Sequence, residues 1–384
     1  MAGYIMTLKT VESLENYSLN GVYSTIISIP RGHWQGHHEG TFADFATMKP
    51  GDNIYFFKDR KIYGIGELVD VNGDCKYLNY PNANIPQKFT YEDVKNDLLW
   101  DEGEFSINQR WLCVFKPSPF FFKEGIDMDE ALSSNPSKFR NLRAFWKLSF
   151  IKIDEEENQA LKDVILKNNQ NSLFKTDEDK VFPSTYNEYH LEVDKKTKIR
   201  DDYKFDLKEL LSSSAAETKL KHEMALEASL LYQLSNNHGE TVDIFGLWDY
   251  LSHQVIASPF KPIDYMDKMD IFGYTFIEGY TPTISKYMVI ELKKDSANVE
   301  DVDQLLKYVD WVNDEYSHGD YSMINSFLVT SDFNEDVINY AKENGIRKYT
   351  IGRRPAKSEE WTNIKLIKYS YNKESNLVNF EIVN

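Results

Sequence analysis

Asp270 and the run Glu291-Leu292-Lys293, twenty-one residues further on, have the residue types of a hydrolytic centre. Side chains alternate faces along a strand, so Glu291 and Lys293 share one face, with Leu292 turned away. If Asp270 opens the strand before and the two strands pair antiparallel, its carboxylate arrives beside Glu291. Two carboxylates at a sheet edge, with an ammonium two residues on, suit Mg²⁺ or Mn²⁺, hard cations that take oxygen ligands and keep several waters. Such an ion stabilises the attacking and leaving oxygens of a phosphodiester, and the lysine can orient water or stabilise charge at phosphorus. A third carboxylate is available upstream. Glu223 and Glu227 are four apart on a helical pattern, share a face and could close over the metal.

The elements that must hold these residues are readable between 215 and 352. Apolar residues at Leu220, Met224, Leu226, Leu230, Leu231 and Leu234 give helical spacing over 215–236, with Ser212-Ser213-Ser214 as its N-cap. Strands follow at 254–258, 270–277 and 287–292. A helix comes next at 299–312, then a strand at 326–330, a helix at 334–344 ending at Gly345, and a strand at 347–351. The tail, 363–383, alternates like an edge hairpin. Met288-Val289-Ile290 precede Glu291, which places the carboxylate at the end of a buried strand rather than on a solvated face.

The first 150 residues read mostly as β, with strands expected at 21–30, 53–57, 62–71, 111–115 and 144–153. Residues 154–214 are polar and charged and read as a connector with little core. The segment Arg31-Gly32-His33-Trp34-Gln35-Gly36-His37-His38-Glu39-Gly40 looks like a loop, because its three glycines argue against a helix. His33 and His37 are four apart, but without a helix they do not make a zinc pair. A phosphate or base contact by a histidine remains open beside a plain surface loop.

Composition sets bounds. The chain has 384 residues, a length that suggests two domains, and no run apolar enough for a membrane helix. Cys75 and Cys113 stand alone, which excludes a disulfide framework and a cysteine-based zinc site, so a cytoplasmic setting is expected. The net charge of −17 argues against nucleic-acid binding by a bulk positive field. Residues 223–384 carry 15 basic and 26 acidic groups, or −11, so the acidity is concentrated where the hydrolytic residues lie.

Helix-Glu, strand-Asp, strand-Glu-x-Lys, helix, in that order, resembles the PD-(D/E)XK nuclease superfamily of restriction-type endonucleases. Gln304-Leu305-Leu306-Lys307-Tyr308 resembles the Gln-x-x-x-Tyr motif found after the active-site strand in several of them. The run from Ile290 to Val312 is similar to mismatch-directed and single-strand-junction endonucleases of archaea and actinobacteria. The residue before Asp270 is Met269 where many relatives have proline. The resemblance implies Asp270, Glu291 and the Leu292 carbonyl as metal ligands and Lys293 at the attacking water. It implies Glu227, or alternatively Glu223, as the helix carboxylate, and Gln304 and Tyr308 as residues that approach the DNA backbone or brace the site.

At the other end, Lys49-Pro50-Gly51-Asp52, a strand, a turn and Ile62-Tyr63-Gly64-Ile65-Gly66-Glu67 resemble the PUA-like group, including EVE- and YTH-type domains. That resemblance implies a barrel crossed by the Gly-x-Gly-Glu segment and an aromatic pocket for a flipped or modified base. Trp34 would be its best wall and His33 a neighbouring contact, with Trp100, Trp111, Phe120 and Phe121 as further candidates. The expected fold class is therefore α/β (α+β). It comprises a PUA-like barrel (1–155), a connector (156–214), a restriction-endonuclease-like αβββαβ core with a mixed sheet (215–355) and an edge hairpin (356–384). The expected function is a Mg²⁺-dependent DNA endonuclease acting on modified DNA, compatible with a homodimer and independent of membranes. A catalytically inactive binding or adaptor protein and an RNA-directed nuclease are the rival readings.

Overall fold

A computed structural model describes residues 1–28, 30–144, 149–173, 179–259 and 266–383. By its contacts the chain divides into two units, Met1–Trp34 with Met48–Leu210, and Gln35–Thr47 with Leu211–Asn384. This division differs from the one expected at 155 and 214. Residues 156–210 belong to the first unit, and a short N-terminal segment belongs to the second.

The first unit is built on a mixed sheet in the order Val22–Ser24, Trp111–Pro117, Lys61–Leu68, Asn53–Lys58, Gly3–Thr7, Phe150–Ile153. Gly3–Thr7 runs parallel to Asn53–Lys58, and the other neighbours are antiparallel. Among the described residues the two end strands do not pair, so the expected barrel is an open curled sheet. The strand expected at 21–30 shrinks to three residues, and 145–148 of the strand expected at 144–153 lie outside the described residues. Both glycines of the segment expected to cross that barrel are crowded. A Cβ on Gly64 would stand 2.6 Å from the Tyr55 ring, and one on Gly66 would stand 2.5 Å from Ile54 Cγ2. The supposed connector is ordered by sparse apolar stripes. Leu161 and Ile165 of the Glu155–Asn168 helix join a cluster with Ile5, Tyr55 and Ile65. Tyr189, Val193 and Thr197 give the Tyr186–Ile199 helix one buried face despite its charged composition.

The second unit carries a six-stranded mixed sheet, Tyr250–Ile256, Lys268–Phe276, Ile284–Lys293, Ile324–Thr330, Ile364–Asn372, Leu377–Val383. The first three strands pair antiparallel, Ile284–Lys293, Ile324–Thr330 and Ile364–Asn372 pair parallel, and the last is antiparallel. Helix Val299–Glu315 makes the parallel crossover and buries Val302, Leu305, Val309 and Val312. Two expectations change here. The helix expected at 215–236 begins at Glu223 with His222 as N-cap, because the three serines end the preceding Lys208–Ser214 helix and Ala215–Leu220 forms a small hairpin. The strand Arg347–Ile351 does not enter the sheet. It pairs with Lys357–Trp361 in a separate ribbon, and Ile364–Asn372 takes the sheet position.

The glycine-rich segment is also a helix, Gly36–Ala46, and it belongs to the second unit. Gln35 and His38 cap it reciprocally, while Phe42, Ala43, Phe45 and Ala46 are buried. Packing and capping thus override the low helical propensity of glycine. Gly40 faces Met224 on the Glu223–Ser235 helix, where an added Cβ would sit 3.5 Å from its sulfur, an ordinary contact. Gly40→Ala is therefore expected to stabilise the protein by about 0.5–1 kcal/mol, read as a higher denaturant midpoint.

Candidate active site

The antiparallel register sets Ile271 opposite Ile290, which brings Asp270 to the end of Ile284–Lys293, beside Glu291. Leu292 donates its backbone N–H to Asp270 Oδ2 (2.8 Å), tying the two strands together at this point. Lys293 Nζ donates to Glu291 Oε1 (2.5 Å) and lies 3.8 Å from Asp301 Oδ1. The expected trio therefore converges. Glu291 is buried, and its second oxygen, Oε2, has no hydrogen-bond partner.

Glu227 joins the cluster through a residue that sequence reasoning missed. The Gln254 amide donates to Glu227 Oε2 (3.2 Å) and reaches Asp270 Oδ1 (3.4 Å). Gln254 holds this place from a strand with φ 52°, a left-handed conformation that costs a non-glycine residue about 1–3 kcal/mol. Of the two helix carboxylates left open by the sequence, Glu227 is the one bonded into the cluster. Glu223 acts on it through charge.

A second missed feature lies behind Glu227. His253 Nδ1 is 2.7 Å from Glu227 Oε1, and its Nε2 is 2.9 Å from Asp44 Oδ1, on the Gly36–Ala46 helix. Glu39 on the same helix accepts from Ser214 Oγ (2.6 Å) and pairs with His222 Nδ1 (3.1 Å). No local signal marks Asp44, because its partner is 209 positions away.

The electrostatics are those of crowded carboxylates. Burial, then the Glu291 and Glu227 charges, hold Asp270 well above the carboxylate range. Burial lifts Glu291 to about 7 against the pull of Lys293. Burial also lifts Glu227, although His253 pulls the other way. Burial opposes the charge on His253, but Asp44 and Glu227 outweigh it and raise the ring to about 10. Lys293 is likewise raised, because Glu291 outweighs its desolvation.

Gln304 Nε2 donates to the Tyr308 hydroxyl (2.8 Å), and Tyr308 is buried beside the charges of Glu291 and Asp270. The Tyr308 hydroxyl is thus engaged by Gln304. Trp34, expected as an exposed pocket wall, is fully buried with its Nε1 bonded to the Asn84 carbonyl (2.9 Å), while His33 is exposed. The Trp34 ring is core, because its position just before the Gly36–Ala46 helix is packed against Trp111 rather than open in a loop.

The donors fit a hard cation. They are oxygens, and one of them is a buried carboxylate oxygen with no partner. Among the described residues no three carboxylate, imidazole or thiol side chains form a closed cage. An ion here would rest on Asp270, Glu291 and the Leu292 carbonyl and fill its shell with water, the usual habit of Mg²⁺.

Residues 254–370 match the family described as the endonuclease NucS C-terminal domain. The match takes in Gln254, Asp270, Glu291, Lys293, Gln304 and Tyr308 and leaves out Asp44, Glu227 and His253. No curated protein matches the chain. A solved structure described as a repair endonuclease from Pyrococcus abyssi is 23% identical over 24% of this chain and 36% of that chain, with a TM-score of 0.17. The chain thus spans little over a third of that structure's length. The sheet carrying Asp270, Glu291 and Lys293 thus lies in the part of the chain that is similar to the endonuclease NucS C-terminal domain.

Proposed function

We propose that the chain is a metal-dependent DNA endonuclease. The observation that carries this reading is the buried, unpartnered Oε2 of Glu291 beside Asp270 and Lys293, a carboxylate pair whose mutual repulsion a divalent cation would relieve. Asp270, Glu291 and the Leu292 carbonyl would hold Mg²⁺ or Mn²⁺, which when bound supplies positive charge to the phosphoryl oxygens. The other roles belong to the chain. The Leu292 N–H fixes the orientation of Asp270. Lys293 keeps its proton, so it donates hydrogen bonds to water or to the developing phosphoryl charge and does not serve as the base. Glu227, held between His253 and Gln254, faces the same cluster.

The finer role we propose is modification-dependent restriction, with the first unit as a PUA-like reader of a modified or flipped base. The crowded Gly64 and Gly66 crossing and the joining of a separate unit to a nuclease core support it. Digestion of a panel of modified and unmodified plasmids, with and without Mg²⁺, tests both levels. Cutting that needs Mg²⁺ but ignores modification removes the restriction role and keeps the nuclease. No cutting of any DNA removes both.

Cation binding is expected without reference to activity. A ligand that binds only the folded state raises stability with its concentration. Glu291 carries a proton below about 7, so Mg²⁺ should raise the unfolding temperature more at pH 8 than at pH 6. Asp270→Asn should flatten that difference. Equal shifts at both pH values would remove Glu291 as a ligand.

A further inference from the structure

The ribbon made by Arg347–Ile351 and Lys357–Trp361 stands apart from the six-stranded sheet, and the nuclease centre does not use it. Its base is anchored. Arg347 Nε and Nη2 grip Asp310 (2.7 and 3.0 Å), and the buried Trp361 donates from Nε1 to the Ile324 carbonyl (2.9 Å). The Tyr321 ring lies 5.9 Å from that of Tyr349 and 6.1 Å from that of Trp361. Beyond this root every residue from 350 to 360 is exposed, and Gly352 turns the tip at φ 71°.

Its charge is the reverse of its surroundings. Residues 347–361 hold Arg347, Lys348, Arg353, Arg354 and Lys357 against Glu359 and Glu360, or +3, while residues 223–384 sum to −11. Among the described residues no carboxylate pairs with Arg353, Arg354 or Lys357. Three unpaired cations on a short ribbon repel one another and give the fold no stability. They do suit a polyanion. A strand of five residues extends about 17 Å. That exceeds the roughly 8 Å over which salt leaves a surface charge effective, so the tip lies largely outside the negative field of the body that carries it.

We propose that this ribbon is an arm that binds the phosphate backbone of duplex DNA through Arg353, Arg354 and Lys357. The partner is duplex DNA because the B-form major groove, about 12 Å wide, admits a two-stranded ribbon, whereas the A-form RNA groove is too narrow. The arm is rooted at Ile324, whereas Glu291 and Lys293 stand opposite Leu328 and Thr330 of the same strand. Six residues of strand separate the two places by about 20 Å. The tip thus meets DNA away from the scissile bond rather than at it. Its contribution is therefore to affinity.

The inference rests on the nuclease reading, and the test separates the two. The full chain carrying Arg353→Ala, Arg354→Ala and Lys357→Ala is titrated with a duplex oligonucleotide in metal-free buffer over a range of salt. Binding at moderate salt should weaken at least about tenfold, and the slope of log K against log salt should become shallower by about 2 to 3. The thermal midpoint should stay at the wild-type value, because the side chains are exposed and unpaired. The Arg353→Lys, Arg354→Lys variant should keep the wild-type slope, since phosphate contact needs charge rather than guanidinium geometry. A wild-type chain that cuts DNA beside a triple variant with unchanged affinity and slope overturns the arm alone. Equal loss on duplex RNA overturns the groove geometry and its choice of DNA. A wild-type chain that neither binds nor cuts DNA overturns the nuclease reading together with the arm.

Discussion

Asp270→Asn should abolish cleavage while making the metal-free protein harder to unfold. The asparagine oxygen can still accept the Leu292 N–H, so the tie between the two strands survives. What disappears is a negative charge that burial, Glu291 and Glu227 all disfavour. Functional sites hold such groups against the interest of the fold, so activity and stability should move in opposite directions. The fall in turnover should be about 100-fold or more, the usual loss when a group that stabilises transition-state charge is removed. Lys293→Ala should give a comparable fall but no gain in stability, since it leaves Glu291 buried without its partner. Turnover on supercoiled plasmid and denaturant midpoints without metal check the two signs. If both variants cut at the wild-type rate, the assignment of the centre is wrong.

The second large effect lies outside the family match. His253 is held between Asp44 and Glu227, and removing it leaves the buried Glu227 facing the largely buried Asp44. Breaking a buried charge pair in this way costs about 3–5 kcal/mol, so His253→Ala should unfold well below the wild-type midpoint. Asp44→Asn is gentler, because it keeps a hydrogen-bonding oxygen next to His253 Nε2. It should still slow cleavage by about 10–100-fold, the common cost of losing a partner that orients a site residue. The sign of the pH dependence follows from the ring. Its folded value of about 10 lies above the ordinary histidine value, so its contribution to stability is complete below about 6.5 and is lost as pH rises through 10. Unfolding midpoints of wild type and Asp44→Asn at pH 7 and pH 10 measure it. A gap that does not narrow at the higher pH would remove His253 as the charged link.

What the sequence disclosed is what short-range rules control. Asp270 and Glu291 meet because two adjacent strands pair antiparallel, and Lys293 joins them because strand side chains alternate. The helix Val299–Glu315 was legible from its apolar spacing, and Gln304 and Tyr308 sit on it one turn apart. Contacts made at long range were hidden. Nothing in Gly36-His37-His38-Glu39-Gly40 signals a helix, since its stability comes from Phe42, Phe45 and a partner helix nearly 190 residues later. The left-handed Gln254 was hidden because its strain is repaid only by carboxylates on two other elements. Arg347–Ile351 looked like a sheet strand because it has strand character, and only the tertiary arrangement assigns it a different partner. Trp34 looked like a loop aromatic for the same reason as the helix beside it looked like a loop.

The helix Gly36–Ala46 also sets how this gene can be cut and recombined. A fragment starting after Leu210 would keep Asp270, Glu291 and Lys293 but lose Asp44 and Glu39, leaving His253 and His222 without those partners and Tyr232 without its Phe42 contact. Exchanging the first unit between relatives would have to leave residues 35–47 with the second, as a graft inside the incoming sequence. Such chimaeras can be joined only along that interrupted boundary.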